Sequence, residues 1–185
     1  MRLYALCDRD VLRSRDIGFA QFIEKVKSLN GEIVQYRSKH DDIATIKNDL
    51  IQLRQLWDGF LIINDHYELA NYCDGIHIGQ DDLYVIDADP LRALAILKLT
   101  IGNDKIVGLS THNHEEIAIA NTLDLNYIGL GAYRSTSTKK EAGVLGDTLD
   151  KLAKESTHPV AAIGGIKTDD VFDFVTYHVI GSGLL

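Results

Sequence analysis

The sequence predicts an α/β protein in which short, buried β-strands alternate with amphipathic helices around one parallel sheet. Three observations predict this class. Short apolar runs recur along the chain, stretches with a hydrophobic period near 3.6 residues separate them, and no linker or low-complexity tract interrupts the pattern. The runs of Val, Ile, Leu and Gly lack clean alternation, which is typical of strands covered on both faces.

The predicted strands are LYALC (3–7), EIVQYR (32–37), GFLII (59–63), GIHIG (75–79), KIVGLS (105–110), YIGLG (127–131), PVAAIGG (159–165) and HVIGSGLL (178–185). Helical patterns lie between them at 17–30, 42–57, 89–99, 114–123, 146–156 and 168–177, and residues 66–73 make a short helix at best. Eight strands alternating with helical segments are the count of a TIM (β/α)8 barrel. An open doubly wound sheet is the alternative fold.

The whole chain, residues 1–185, is predicted to be a single domain. It is shorter than the roughly 250 residues typical of such barrels, and it stops at Leu185 with no eighth helix. We therefore expect either that the chain is trimmed, or that a partner subunit in a homo-oligomer covers the outer face of the last strand beside the first.

Composition excludes several classes of partner. The net charge of −8 argues against nucleic acid or an anionic membrane surface. No apolar run approaches the roughly 20 residues of a membrane span, and the N-terminus does not resemble a signal peptide. Cys7 and Cys73 belong to no metal or redox motif and are expected to be small buried side chains. A cytoplasmic location is the expectation.

Polar and charged side chains cluster where the predicted strands end, which is where sites form in barrels and in open α/β sheets alike. In chain order these strand ends carry Gln35, Arg37 and Lys39; Asn64 and Asp65; Gln80, Asp81 and Asp82; Ser110, Thr111 and His112; the loop GAYRSTSTKKEAG (131–143); IGGI (163–166); and IGSG (180–183).

The chemistry of these groups is that of phosphorylated substrates. Two carboxylates from neighbouring strands suit Mg²⁺, which takes one or two protein carboxylates plus phosphate and water oxygens. Lys, Arg, Ser and Thr side chains donate to phosphate oxygens, and glycine-rich strand ends let backbone N–H groups approach a second phosphate. Taken singly, each feature has a simpler interpretation. Asp65 could cap a helix, Asp81 and Asp82 could be turn residues, residues 135–140 could be a solvated loop, and His77 is expected to pack inward.

The motifs VQYRSK, LIINDHYELA, DGIHIGQDDL, VGLSTH, YIGLGAYRSTSTKKEAG, PVAAIGGI and VIGSGLL together resemble those of thiamine-phosphate synthases, a family related to the thiazole tautomerases. The resemblance runs from about residue 30 to the end. It implies a barrel enzyme, a transferase of thiamine biosynthesis that joins hydroxymethylpyrimidine diphosphate to thiazole phosphate and releases pyrophosphate. A tautomerase-like isomerase and a non-catalytic barrel that binds a phosphate ligand are the alternatives.

Carried over by motif position, the resemblance implies three groups of site residues. Asp65 and Asp82 would bind Mg²⁺. Arg37, Lys39, Ser110 and Lys139 would act on the diphosphate as catalytic residues. The remaining substrate contacts would come from Gln35, Tyr36, Ser38 and Asn64 for the pyrimidine substrate, and from Thr136, Ser137, Thr138, Gly165, Gly181 and Ser182 for the thiazole phosphate. The chain departs from the usual motifs at Tyr36, Ser135 and Gly181.

Overall fold

The eight strands form a closed, all-parallel barrel. The computed structural model of the protein describes residues 1–135 and 143–185. The strands are β1 (Leu3–Asp8), β2 (Ile33–Arg37), β3 (Phe60–Asn64), β4 (Gly75–Ile78), β5 (Ile106–Thr111), β6 (Tyr127–Leu130), β7 (Val160–Ala162) and β8 (Tyr177–Ile180). They pair in chain order, and β8 pairs with β1 to close the sheet. The predicted TIM barrel is confirmed.

Seven α-helices surround the barrel in the described part of the chain. They are α1 (Arg9–Ser14), α2 (Phe19–Ser28), α3 (Ile43–Leu56), α4 (Gln80–Ile86), α5 (Pro90–Ile101), α6 (His114–Ala120) and α7 (Thr148–Ala153). Two 3-10 helices, Tyr67–Tyr72 and Ser182–Leu184, complete the set. The sequence pattern predicted neither α1 nor α4, which have six and seven residues.

The predicted helix at 168–177 is wrong. This segment is irregular and includes turns, although its apolar residues have helical spacing. Local side-chain bonds compete with a helix there. The carboxylate of Asp170 accepts the N–H of Lys167, and the Asp150 carboxylate accepts the N–H groups of Asp173 and Phe174.

Two apolar cores result from the closed sheet. A small inner core fills the barrel with one buried side chain from each of six strands, namely Tyr4, Ile33, Ile62, Tyr127, Ala161 and Val179. The larger outer core lies between strands and helices and includes both cysteines, Cys7 and Cys73, which are buried and unpaired as expected.

The outer face of β8 is covered by the chain itself. His178 and Ile180 point outward from β8, yet they are only 6% and 2% exposed. Phe172 packs edge-on against the His178 ring, and Leu184 of the final 3-10 helix is buried nearby. The homo-oligomer was predicted because the outer face of β8 was expected to be uncovered. That face is buried within the chain, so it does not support the homo-oligomer, which stays a prediction.

Candidate active site

Two carboxylates meet at the C-terminal ends of β3 and β4. The Asn64 side chain donates to Asp65 Oδ2 at 2.5 Å, and Asp65 itself has a left-handed φ of +66°. Asp82 lies in the first turn of α4, where its Oδ2 accepts the N–H of Gly79 at 3.0 Å. Asp65 is exposed at the end of β3, but neighbouring groups remove part of its water. This loss of solvation, together with the negative charge of Asp82, raises the pKa of Asp65. The two carboxylates are therefore close enough to repel each other.

Arg37 supplies a positive charge to the same place. Its charge opposes the rise in the Asp65 pKa, so the end of β2 converges with the ends of β3 and β4. Arg37 Nη1 also donates to Asp8 Oδ2 at 2.8 Å, and the other oxygen of Asp8 caps α1 by accepting the N–H of Val11. With Asp8 and Lys39, Arg37 lines a cleft of about 350 Å³. Sequence reasoning missed Asp8, although it ends β1 in the same way that Asn64 ends β3.

The side chains of Tyr36 and Ser38 in the β2 motif bond to aspartates outside the predicted site. Tyr36 is fully buried in the outer core, and its hydroxyl donates to Asp49 Oδ2 of α3 at 2.7 Å. The Ser38 hydroxyl donates to Asp41 Oδ2 at 2.7 Å within a turn. Residues alternate across a strand, so Gln35 and Arg37 face the barrel interior and Tyr36 faces outward. Only backbone groups of Tyr36 can reach the cleft, so we assign no substrate contact to its side chain.

We expect Tyr36→Phe to leave both substrate KM values unchanged and to lower the free energy of unfolding by about 1–2 kcal/mol, because the buried Asp49 carboxylate loses a hydrogen-bond donor. Steady-state kinetics and urea denaturation measure the two effects. A raised KM for the pyrimidine substrate in a stably folded variant would restore the side chain to the site.

A hydrogen-bonded network of side chains crosses the inside of the barrel between β2 and β5. Gln35 Nε2 donates to the Tyr4 hydroxyl at 2.7 Å, and the Tyr4 and Tyr127 hydroxyls are 2.7 Å apart. His77 links this pair to the site, with Nδ1 3.0 Å from the Tyr127 hydroxyl and Nε2 2.9 Å from Ser110 Oγ. His77 thus packs inward as predicted, but it also contacts a predicted site residue. The network therefore connects Gln35 on β2 with Ser110 on β5.

Glycines on the neighbouring strands make room for these rings. A Cβ at Gly108 would lie 2.1 Å from the Tyr127 ring, and one at Gly129 would lie 2.9 Å from the His77 ring. The rings enclose a small cavity of about 40 Å³ that opens beside Ser110. The Gln80 side chain donates to the Ser110 carbonyl at 2.7 Å, which fixes the β5 end against the start of α4.

The glycine-rich ends of β7 and β8 lie at this same end of the barrel. Gly164 and Gly165 have left-handed φ values of +90° and +69°, a conformation that glycine adopts without steric cost. Gly181 precedes the final 3-10 helix, and Arg15 Nη1 holds that helix by donating to the carbonyls of Ser182 and Leu185. The predicted site residues Thr136, Ser137, Thr138 and Lys139 lie outside the described residues.

The comparisons with known proteins agree on one family. A family model described as "Thiamine monophosphate synthase" matches residues 3–182. The chain belongs to that family. The resemblance carried by the sequence motifs is therefore confirmed, and with it the prediction of an enzyme of this kind.

Curated thiamine-phosphate synthases match nearly the whole chain. The protein of Persephonella marina is 33% identical over 181 residues, covering 95% of this chain and 81% of that one. The protein of Lawsonia intracellularis is 35% identical over 185 residues, covering 95% and 79%. Among solved structures, "Thiamine phosphate pyrophosphorylase from Pyrococcus furiosus" superposes with a TM-score of 0.77 at 22% identity, covering 98% of this chain and 87% of that one, which supports the fold.

Proposed function

We propose that this chain joins hydroxymethylpyrimidine diphosphate to thiazole phosphate, giving thiamine phosphate and pyrophosphate. Membership of the thiamine monophosphate synthase family supports the reaction. The observation that carries it on this chain is the convergence of Asp65, Asp82 and Arg37 at the C-terminal ends of three adjacent strands. Acidic and basic groups meet there as a metal-bound diphosphate requires.

Mg²⁺ fits the donor set of this cleft. Asp65 and Asp82 are two hard oxygen donors whose mutual repulsion a cation would relieve. Within residues 1–135 and 143–185 no group of three or more metal-ligating side chains is present, so substrate phosphate and water oxygens would complete the coordination. When bound, the ion would stabilise the negative charge on the departing diphosphate.

The chain's own cations would share that task. Arg37 and Lys39 line the cleft that Asp8 borders, Arg37 also acts on the pKa of Asp65, and the resemblance adds Lys139. In the proposed reaction the bond between the pyrimidine methylene carbon and the diphosphate oxygen breaks, and its electron pair leaves with pyrophosphate. The thiazole nitrogen then donates its pair to form the new C–N bond. Electrostatic stabilisation of the leaving group is the main requirement, and no protein nucleophile is needed.

Positioning of the two substrates is assigned to opposite sides of the cleft. Gln35, Asn64 and Ser110 would bind the pyrimidine substrate, and Ser110 would also bind its diphosphate. The hydrogen bonds that run from Gln35 to Ser110 would hold these two residues at a fixed separation. Gly165, Gly181, Ser182 and residues Thr136 to Thr138 would hold the thiazole phosphate. Both substrates would then face one another across the barrel end, with water excluded between them.

The acidic pair also bears on the alternatives. A tautomerase-like isomerase has no diphosphate to stabilise and would not need Asp65 and Asp82, whereas a non-catalytic barrel would bind phosphate without turnover. Incubation with both substrates and Mg²⁺, followed by chromatography for thiamine phosphate and a coupled assay for pyrophosphate, separates the three. The synthase yields both products in equal amounts. Isomerised thiazole phosphate alone, or neither product, would overturn the proposal.

Small molecules are the partners in this proposal, and neither nucleic acid nor a membrane takes part. No helix among the described residues is both long enough and apolar enough to cross a bilayer. We propose a cytoplasmic location, supported by two cysteines that are buried and unpaired rather than cross-linked.

A further inference from the structure

An ion pair outside the residues assigned above lies beside the glycine turn that follows β7. Arg134 donates through Nη1 and Nη2 to the two carboxylate oxygens of Asp170, at 2.6 and 2.7 Å. Arg134 Nη1 also donates to the carbonyl of Gly165 at 2.7 Å. The guanidinium stacks on the Tyr133 ring, 4.3 Å from its centroid. We call Arg134, Asp170 and their bond to Gly165 the arginine clamp.

Backbone bonds and the clamp together orient the peptide groups of the turn, and the clamp itself holds the Gly165–Ile166 peptide. Besides the Arg134 side chain on Gly165, the backbone N–H groups of Tyr133 and Arg134 donate to the carbonyls of Ile163 and Gly164, at 2.9 and 2.8 Å. Three successive carbonyls therefore face residues 133 and 134. In a trans peptide the N–H points opposite to the carbonyl, so the N–H groups of Gly165 and Ile166 point away from Arg134. Among the described residues, neither N–H has a hydrogen-bond acceptor.

Without the clamp, the Gly165–Ile166 peptide group would lose the hydrogen bond from Arg134 Nη1 that orients it, whereas the backbone bonds to the Ile163 and Gly164 carbonyls would remain. Gly164 and Gly165 both occupy left-handed φ values, and a Cβ at Gly165 would lie 2.8 Å from Arg134 Cβ. Close packing therefore requires glycine, which loses more conformational freedom on ordering than any other residue. Asp170 anchors the segment that follows the turn by accepting the N–H of Lys167 at 2.8 Å.

We propose that Arg134 and Asp170 are positioning residues for the phosphate group of the thiazole substrate, which they pre-order through the Gly164–Gly165 turn. The inference rests on the proposed function, because it assigns the N–H groups of Gly165 and Ile166 to that phosphate. Arg134 itself is committed to Asp170 and Gly165 and acts at a distance from the ligand. The hydrogen bond from Arg134 lowers the pKa of Asp170, so the pair is ionised at neutral pH.

The test compares Arg134→Met, Asp170→Asn and the double variant with a matched control at the opposite end of the barrel. Arg2, which precedes β1, donates through Nε and Nη2 to both carboxylate oxygens of Glu32. Arg2 also stacks on a tyrosine, 4.4 Å from the Tyr177 centroid. Arg2→Met thus removes an equivalent ion pair and ring contact without touching the turn.

We expect Arg134→Met to raise the KM for thiazole phosphate about tenfold, since misaligned donors lose most of their value. The kcat and the KM for the pyrimidine substrate should stay within about twofold of wild type, and Asp170→Asn should show a smaller change in the same direction. The double variant should have the same KM for thiazole phosphate as Arg134→Met, because both substitutions break the same ion pair. Arg2→Met should lower Tm but leave every KM unchanged.

Three results would overturn the proposal: an unchanged thiazole-phosphate KM in a folded Arg134→Met protein, an additive double variant, or an effect of Arg134→Met that Asp170→Asn does not share. Calorimetric titration with thiazole phosphate alone separates this inference from the proposed function. If the wild type makes no product but binds thiazole phosphate in a clamp-dependent manner, the synthase proposal fails and the clamp stands. If the wild type binds no thiazole phosphate, both fail.

Discussion

Replacing Asp65 by Asn is expected to lower kcat by about 100-fold or more, because one of two carboxylates facing the diphosphate loses its charge. Asn is the informative substitution. Asp65 has a φ of +66°, a conformation that Asn tolerates and that would strain Ala. The loss can then be attributed to charge rather than to a distorted β3 end. Product formation at saturating concentrations of both substrates, measured across a Mg²⁺ titration, gives the value.

The neighbouring Asp81 provides the control for this experiment. Asp81 and Asp82 both lie in the first turn of α4, but only Asp82 contributes to the raised pKa of Asp65. Asp81→Asn should therefore stay within about twofold of wild type, as expected for an exposed surface change, whereas Asp82→Asn should follow Asp65→Asn. If Asp65→Asn retains full Mg²⁺-dependent turnover, the metal assignment is wrong.

Asp65 should also affect stability in the absence of Mg²⁺. The folded pKa of Asp65 is raised above its ordinary value of 3.8, first by loss of solvation and then by Asp82. Its contribution to stability is therefore complete below the ordinary pKa and is lost as the pH rises through the folded value. Asn does not titrate, so metal-free Asp65→Asn should have a higher Tm than wild type at pH 7, and the difference should disappear in acid.

Arg37→Met is expected to lower kcat/KM for the pyrimidine diphosphate by about 100-fold, because a charge-assisted contact to the leaving group is lost. It should also lower the free energy of unfolding by about 2 kcal/mol, since Asp8, whose side chain is 6% exposed, loses its ionic partner. The double variant Arg37→Met with Asp8→Asn separates the two effects. Stability should return toward the wild-type value while activity stays low.

Arg13→Met is the matched control for the Arg37 experiment. Arg13 Nη1 also makes a single 2.8 Å bond to an aspartate, Asp41, but it does not line the cleft. Its kcat/KM should equal that of the wild type. If the Arg37→Met and Asp8→Asn double variant regains activity as well as stability, Arg37 serves the fold alone.

The sequence predicted the barrel because eight apolar strand segments alternate with stretches that have a helical period, and five of those stretches contain helices of the structure. It failed where local bonds outweigh periodicity, as at 168–177, where the Asp150 and Asp170 carboxylates bind backbone N–H groups. The strand-end rule predicted where Asp65, Asp82 and Arg37 would lie. Tyr36 was placed with the ligands by motif position alone, whereas alternation along β2 turns its side chain toward α3.

Other parts of the site depend on contacts between residues far apart in the chain. Asp8 and Arg37 are 29 positions apart, and Arg134 and Asp170 are 36 apart. Arg37 and Arg134 lie in quoted motifs but their partners Asp8 and Asp170 do not, and only the folding of the barrel brings the partners together. Single-sequence reasoning has no signal for such pairs beyond the observation that each residue lies near a strand end.

The fit of the Tyr127 and His77 rings against Gly108 and Gly129 limits how this barrel can diverge. A mutation that gives either glycine a side chain is blocked while the facing ring remains, and loss of a ring alone leaves a void inside the barrel. We therefore expect Gly108 to change together with Tyr127, and Gly129 together with His77, as related sequences diverge.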